Sequence, residues 1–220
     1  MGIIRQGILG GLSGKVGNVV GSSWKGINYL RALPSHVTNP RTPAQRTTRL
    51  KMEIVIRFLK SCTAFIRFGF NAYAVKMSAF NAATSYNLSN AVKGELPDVE
   101  LDYEQLQVSR GNLQGVANPE VEMSDSGKVL FNWTDNSGQG NAIGNDLAML
   151  LAYNPAKNSS VYALAAATRS EGTAELELPD SYIGDEVHCY IAFSSADRLS
   201  SSNSRDSISN STYAGTIAVI

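Results

Sequence analysis

Three patterns of apolar and polar positions divide the chain. Over residues 1–33 glycine sets the pattern, with eight in the first 26 positions. That is too many for a helix interior, where each Gly costs about 1 kcal/mol relative to Ala. Within it, Val19-Val20-Gly21-Ser22-Ser23-Trp24 and Ile27-Asn28-Tyr29-Leu30-Arg31-Ala32 flank Lys25-Gly26 and predict a β-hairpin turning there. Ile27, Tyr29 and Arg31 would share one face, and Asn28, Leu30 and Ala32 the other. From Ala44 to about Phe68 the period becomes helical, with Leu50, Ile54, Phe58, Cys62 and Phe65 at three- to four-residue steps. Thr42-Pro43 opens this helix as N-cap and first helical residue, and Gly69 ends it. Asn71 caps a second helix running to about Val92, which completes an αα-hairpin.

Beyond Gly94-Glu95-Leu96-Pro97-Asp98 the period becomes two. Strands are predicted at 101–109, 120–124, 128–134, 146–153, 160–168, 173–178, 186–194 and 212–220, separated by turn signals such as Asp125-Ser126-Gly127 and Glu171-Gly172. Short strands with no helix between them predict an antiparallel β-sandwich of immunoglobulin-like or fibronectin-III-like type, with Trp133 and Tyr190 in its inter-sheet core. The Ser/Asn-rich stretch 194–211 reads as a long, mobile loop. The expected class is α+β in two modules. A β-hairpin plus αα-hairpin occupies 1–94, and an antiparallel Ig-like β-sandwich occupies 98–220.

Charge sharpens this division. The 220 residues carry no net charge, yet residues 1–94 hold 13 Lys+Arg against one acid, Glu53, and residues 95–220 hold 18 Asp+Glu against six Lys+Arg. The halves are +12 and −12, which points to modules with different partners. With 43% apolar residues the chain can bury a core. It has no uncharged apolar run of 18 residues and no signal-peptide pattern, so no membrane insertion is expected and synthesis and folding in the cytosol are. Cys62 and Cys189, one in each half, are expected as buried, unpaired thiols.

Candidate chemistry is sparse. Gly10 to Lys15 reads G-x-x-x-G-K followed by Val, one residue short of a phosphate loop and without its hydroxyl. His36 sits in a Pro-rich loop. His188 and Cys189 are adjacent on a strand, so they point to opposite faces and cannot pair. Glu120 with Glu122, and Glu175 with Glu177, have the spacing of solvated strand faces. Asp135, Asn136, Asn141, Asn145 and Asp146 are the nearest approach to a calcium loop. No catalytic residue, cofactor or metal is expected. Arg41, Arg46, Arg49, Lys51, Arg57, Lys60 and Arg67 make the first helix basic all round, a surface for an acidic protein partner.

Gly14-Lys15-Val16-Gly17-Asn18-Val19-Val20-Gly21, Ser23-Trp24-Lys25-Gly26 and Pro40-Arg41-Thr42-Pro43-Ala44-Gln45 with Arg49 carry a resemblance over residues 7–68. Here the chain resembles an uncharacterised domain-of-unknown-function family of Bacteroidota and their bacteriophages. The resemblance implies a phage or prophage context and a virion-associated role, with no catalytic residues to transfer. The expected function is that of a non-enzymatic structural or accessory virion protein, made in the host cytoplasm and partnered by its own copies and other virion proteins. Its assembly interface would have Trp24, Ile27 and Tyr29 as apolar core and Arg46, Arg49 and Arg57 as charged rim. Two alternatives stand beside this. One is a surface glycan- or protein-binding module acting through 194–211 and Tyr182; the other is nucleic-acid binding through residues 41–67.

Overall fold

A computed structural model describes residues 3–4, 10–24, 26–36, 39, 41–95, 97–125, 127–196 and 205–220. Lys25 of the expected turn, Pro40 of the family-like segment, Leu96 of the linker, Ser126 of one strand turn and 197–204 of the Ser/Asn-rich stretch lie outside the described residues. The chain divides into two compact units, Met1–Thr42 and Pro43–Ile220.

The first unit is an antiparallel meander of four strands, β1 (Ile3–Ile4), β2 (Leu12–Val16), β3 (Val19–Trp24) and β4 (Ile27–Ala32), hydrogen-bonded in that order. The expected hairpin is there, with Trp24 opposite Ile27. The glycine-rich segment before it adds further strands. Gly17, at φ 57°, makes the tight β2–β3 turn. Gly21 pairs with Gly14 and has the Leu12 carbonyl packed against it, where a Cβ would collide.

The second unit has three layers. One sheet is ordered β10-β9-β12-β13, from β9 (Leu147–Asn154), β10 (Ser159–Ala163), β12 (Glu186–Ser194) and β13 (Thr212–Ala218). The other is ordered β11-β8-β7, from β7 (Ala117–Asp125), β8 (Lys128–Thr134) and β11 (Thr173–Glu177). Their inner faces meet in a core of Val129, Phe131, Trp133, Leu150, Leu176, Cys189, Ile191 and Phe193, which is the expected β-sandwich. The third layer consists of α1 (Pro43–Ser61), α2 (Thr63–Gly69) and α3 (Ala79–Asn90), packed on the outer face of the four-stranded sheet. Phe58, Leu59, Phe65 and Ile66 bury themselves against Met149, Leu151, Tyr153, Tyr190 and Ala192. Each large apolar side chain so buried stabilises by about 1.5–3 kcal/mol. Phe58 meets Tyr153 edge-to-face with ring centroids 4.8 Å apart.

This packing corrects the expected domain boundary at 94–98. The helices share a core with the sandwich, so the change of charge sign falls inside the second unit, while the compact units part at Thr42/Pro43. Tyr190 lies on the helix side of β12 instead of between the sheets, because Cys189 and Ile191 take the inward positions. The first helix also breaks at Cys62 (φ −124°, ψ 36°), which keeps both Phe58 and Phe65 on the sheet. Asn71 opens only a single 3₁₀ turn. α3 starts later, where the Ser78 hydroxyl accepts from the Asn81 N–H at 3.1 Å.

The expected strand 101–109 shrinks to β6 (Glu100–Leu101), paired with β5 (Val92–Lys93). The rest is held by side chains. Buried Asn87 accepts from the Gln107 N–H at 2.8 Å and donates to its carbonyl at 2.9 Å, tying α3 to this segment. Gly69 lies so close to Val108 and Ser109 that any Cβ there would collide with backbone.

The 43–220 fragment is expected to unfold in one cooperative transition. The 98–220 fragment strips the helices from Met149, Leu151 and Tyr190 and is expected to bind a hydrophobic dye and aggregate. A soluble, dye-negative 98–220 fragment with a sharp melt would show that the helical layer is dispensable.

Candidate functional site

Every described side chain of the first unit is at least partly exposed, and only Gly21 is buried. Register places Trp24 beside Ile27, Tyr29 opposite Ser22, and Arg31 with Lys15 flanking Val20, all on one face. Trp24 is 64% exposed, Ile27 66% and Tyr29 42%. The other face presents Val16, Val19 and Leu30, with Leu30 63% exposed. A small sheet apolar on both faces, without a core between layers, is marginal in water. Among the described residues, its outer strand β4 also has one edge with no paired strand. Residues 1–42 contribute five cations and no acid.

Trp24, Ile27 and Tyr29 therefore come together on one exposed face as expected. Arg46, Arg49 and Arg57 stand on α1 in the second unit, all exposed, with Arg57 paired to Glu53 at 2.9 Å. Lys60 and Arg67 extend the row along the outer surface of α1 and α2. The thin stripe between them holds Met52, 39% exposed, and Ile56, half-buried.

The remaining candidates resolve into structural roles. Gly10 to Lys15 leads into and forms β2. Cys62 and Cys189 are free thiols in the two different cores, and burial pushes both up to about 12. Asp135 bonds the Ser137 N–H in its own turn, Asn141 accepts from the Gln114 N–H, and Asp146 points at Arg169, so the calcium-like set is dispersed. No cluster of three metal-ligating side chains occurs among the described residues. Among them, too, no helix is long and apolar enough to cross a membrane. Tyr182 is buried with its hydroxyl on Ser159, which removes it as a surface contact. The part of 194–211 described from Arg205 on is packed structure, not a mobile loop. The Ser209 hydroxyl accepts from the Phe193 N–H and the Ser211 hydroxyl accepts from the Val108 N–H, because these short side chains replace missing ladder bonds.

Sequence reasoning missed the most demanding polar group, Arg169. It is fully buried with its guanidinium stacked 3.8 Å from the Phe193 ring centroid. It donates to Asp146 at 3.1 Å, Asn136 Oδ1 at 2.6 Å and the Gln114 carbonyl at 2.8 Å. The Trp133 indole N–H donates to its carbonyl at 2.8 Å. This network pins three loops at one end of the sandwich. The available signal was Thr168-x-x-Glu171, a capping box that does form there and presents Arg169. Arg169→Met leaves the buried Asp146 carboxylate uncompensated and is expected to cost about 3–5 kcal/mol. Urea unfolding should show a lower midpoint at unchanged slope, and an unshifted midpoint would exclude a stabilising role.

His188 is half-buried, stacked on Tyr103 at 3.7 Å, with Nδ1 2.9 Å from the Tyr213 hydroxyl. Burial lowers its pKa below 6.5, and Glu186 opposes this only in part. The unfolded chain then binds a proton that the folded chain refuses, so stability is full above pH 6.5 and falls as pH drops through that value. Melting temperatures of wild type and His188→Gln across this window should show a smaller acid-side loss in the variant. Equal losses would mean that His188 does not titrate in this way.

No curated protein sequence matches the chain. Among the solved structures that resemble it in part are two with fibronectin-III domains. The fn3 domain of the human collagen alpha-1(XX) chain is 15% identical over 49% of this chain and 86% of that one, with a TM-score of 0.32. The chicken CNTN1 FN1–FN3 domains are 10% identical over 49% of this chain and 31% of that one, with a TM-score of 0.31. The β-sandwich stands on the sheet orders and registers above, not on these likenesses. A family described as being of unknown function, DUF6266, matches residues 11–213, spanning both units and all three layers, and the chain belongs to that family.

Proposed function

We propose that this chain is a non-enzymatic structural protein that assembles through its N-terminal sheet and carries the helix-covered sandwich as its body. The observation that carries this reading is the sheet β1-β2-β3-β4, with Trp24, Ile27 and Leu30 exposed on its two faces. Large apolar side chains in that setting mark a surface that is covered in the working state. The resemblance over residues 7–68 supplies the finer proposal, a virion component of a phage infecting Bacteroidota, made in the host cytosol and incorporated with further copies of itself. Fold alone assigns no such role, so the context is tested separately, by mass spectrometry of purified particles.

Trp24→Ser with Ile27→Ser is expected to weaken self-association by about 2 kcal/mol or more, roughly 30-fold, as loss of a central aromatic anchor does. Sedimentation of the full chain, the double variant and a 34–220 truncation measures it. Association that persists unchanged in the truncation would overturn the reading.

A further inference from the structure

The charge asymmetry of the sequence becomes a geometric one in the second unit. The helical layer spans residues 43–94, with eight Lys+Arg and Glu53 as its one acid. α3 carries none of these charges: six of the cations lie on α1 and α2, with Lys76 before α3 and Lys93 on β5. Along the exposed side of α1 runs a groove of about 570 Å³ lined by Thr48, Arg49, Met52, Ile56, Arg57 and Lys60, with Glu53 beside them. It is an apolar stripe edged by cations.

The opposite outer surface of the same unit is the solvent face of β7-β8-β11. Pairing puts Glu122, Leu130 and Glu175 in one cross-strand row, Glu120, Asn132 and Thr173 in the next, and Lys128 beside Glu177. All four glutamates are exposed, and half-buried Leu130 sits between two of them. Their neutralisation is slight. Lys128 lies 4.0 Å from Glu175, Ser124 donates to Glu175 at 2.8 Å, and Asn132 donates to Glu122 at 3.0 Å. One rigid three-layer body thus carries an acidic face with an apolar centre on one side and a basic face with an apolar centre on the other.

We infer that these two faces are mates: the basic helical face of one copy docks on the Glu120/Glu122/Glu175/Glu177 face of the next. The contact is head-to-tail, joining two different patches, so repetition builds a ring or a filament according to whether the rotation closes. Charge complementarity selects the partner and the register. Met52 and Ile56 against Leu130 supply the desolvated centre. Because the mating charges lie at the surface, the contact weakens with salt. This inference rests on the self-assembly reading above, but it uses surfaces that the N-terminal sheet does not provide.

The test uses full-length protein throughout. One variant carries Arg46→Glu, Arg57→Glu and Lys60→Glu, and a second carries Glu120→Lys, Glu122→Lys and Glu175→Lys. All six positions are exposed, and a milder Gln set at the same positions guards against misfolding, checked by melting temperature. By sedimentation at low and high salt, each variant alone should lose the salt-sensitive association about tenfold or more, as several exposed charge pairs of modest value would give. Mixing the two reversed variants should restore it, since each then offers the other its complement. Variants that associate like wild type, or a mixture that does not recover, would overturn the inference. The Trp24→Ser, Ile27→Ser protein separates the two readings. If it alone loses association, the N-terminal sheet stands and the stacked faces fall; if only the charge variants lose it, the reverse holds.

Discussion

The four-stranded sheet has to be covered on both sides. β9 reads Leu-Ala-Met-Leu-Leu-Ala-Tyr-Asn, and β12 carries Tyr190 and Ala192 on one side and Val187, Cys189, Ile191 and Phe193 on the other. Both strands are buried on both sides, β9 from Ala148 to Asn154 and β12 from Cys189 to Ser194. The three-stranded sheet satisfies one side, and α1, α2 and α3 must satisfy the other. From this follow the kink at Cys62, which lets two helices share one flat surface, and the Asn87 clasp onto 107, which closes the layer at its edge.

Charge is arranged around that constraint. Among the described residues the body keeps one fully buried ion pair, Arg169 with Asp146, and surrounds the guanidinium with two carbonyls, the Asn136 amide and the Phe193 ring. The guanidinium donors are satisfied while Asp146 Oδ1 is left without a hydrogen bond among the described residues, and the pair fixes the loops at one end of the sandwich. Cations gather on the exposed side of α1 and α2, and glutamates on β7 and β11. The first unit follows no such rule, since the described residues of 3–36 supply no second layer to cover its apolar side chains.

Much of the architecture was readable from period and turn chemistry. The strands at 128–134 and 186–194 fall where the alternation predicts, and the face shared by Ile27, Tyr29 and Arg31 is as the hairpin register requires. The misreadings share a cause. Residues 102–109 and 205–211 look like a strand and a loop, yet both are held by side-chain hydrogen bonds from Asn87, Ser209 and Ser211. Such bonds join residues 16 to 103 positions apart and leave no periodic trace. Glycine obscured β1 and β2, because Gly17 makes the turn between β2 and β3 and Gly21 serves close backbone approach instead of packing a side chain.

By itself the sequence determined the helical character of 44–68, the N-terminal hairpin, most of the sandwich strands, the apolar character of Trp24, Ile27 and Tyr29, the near-continuous apolar run of β9, and the split of charge at residue 94. Only the tertiary structure decided which elements belong together. It joined the basic helices to the acidic sandwich and placed the unit boundary at Thr42/Pro43. The physical reason is that burial of apolar area near 25 cal/mol per Å² acts over the whole shared face. Exposed charges, screened within about 8–10 Å, act weakly. Two stretches of opposite charge therefore fold as one body whenever their apolar faces match, and the charge pattern is left to shape the surface.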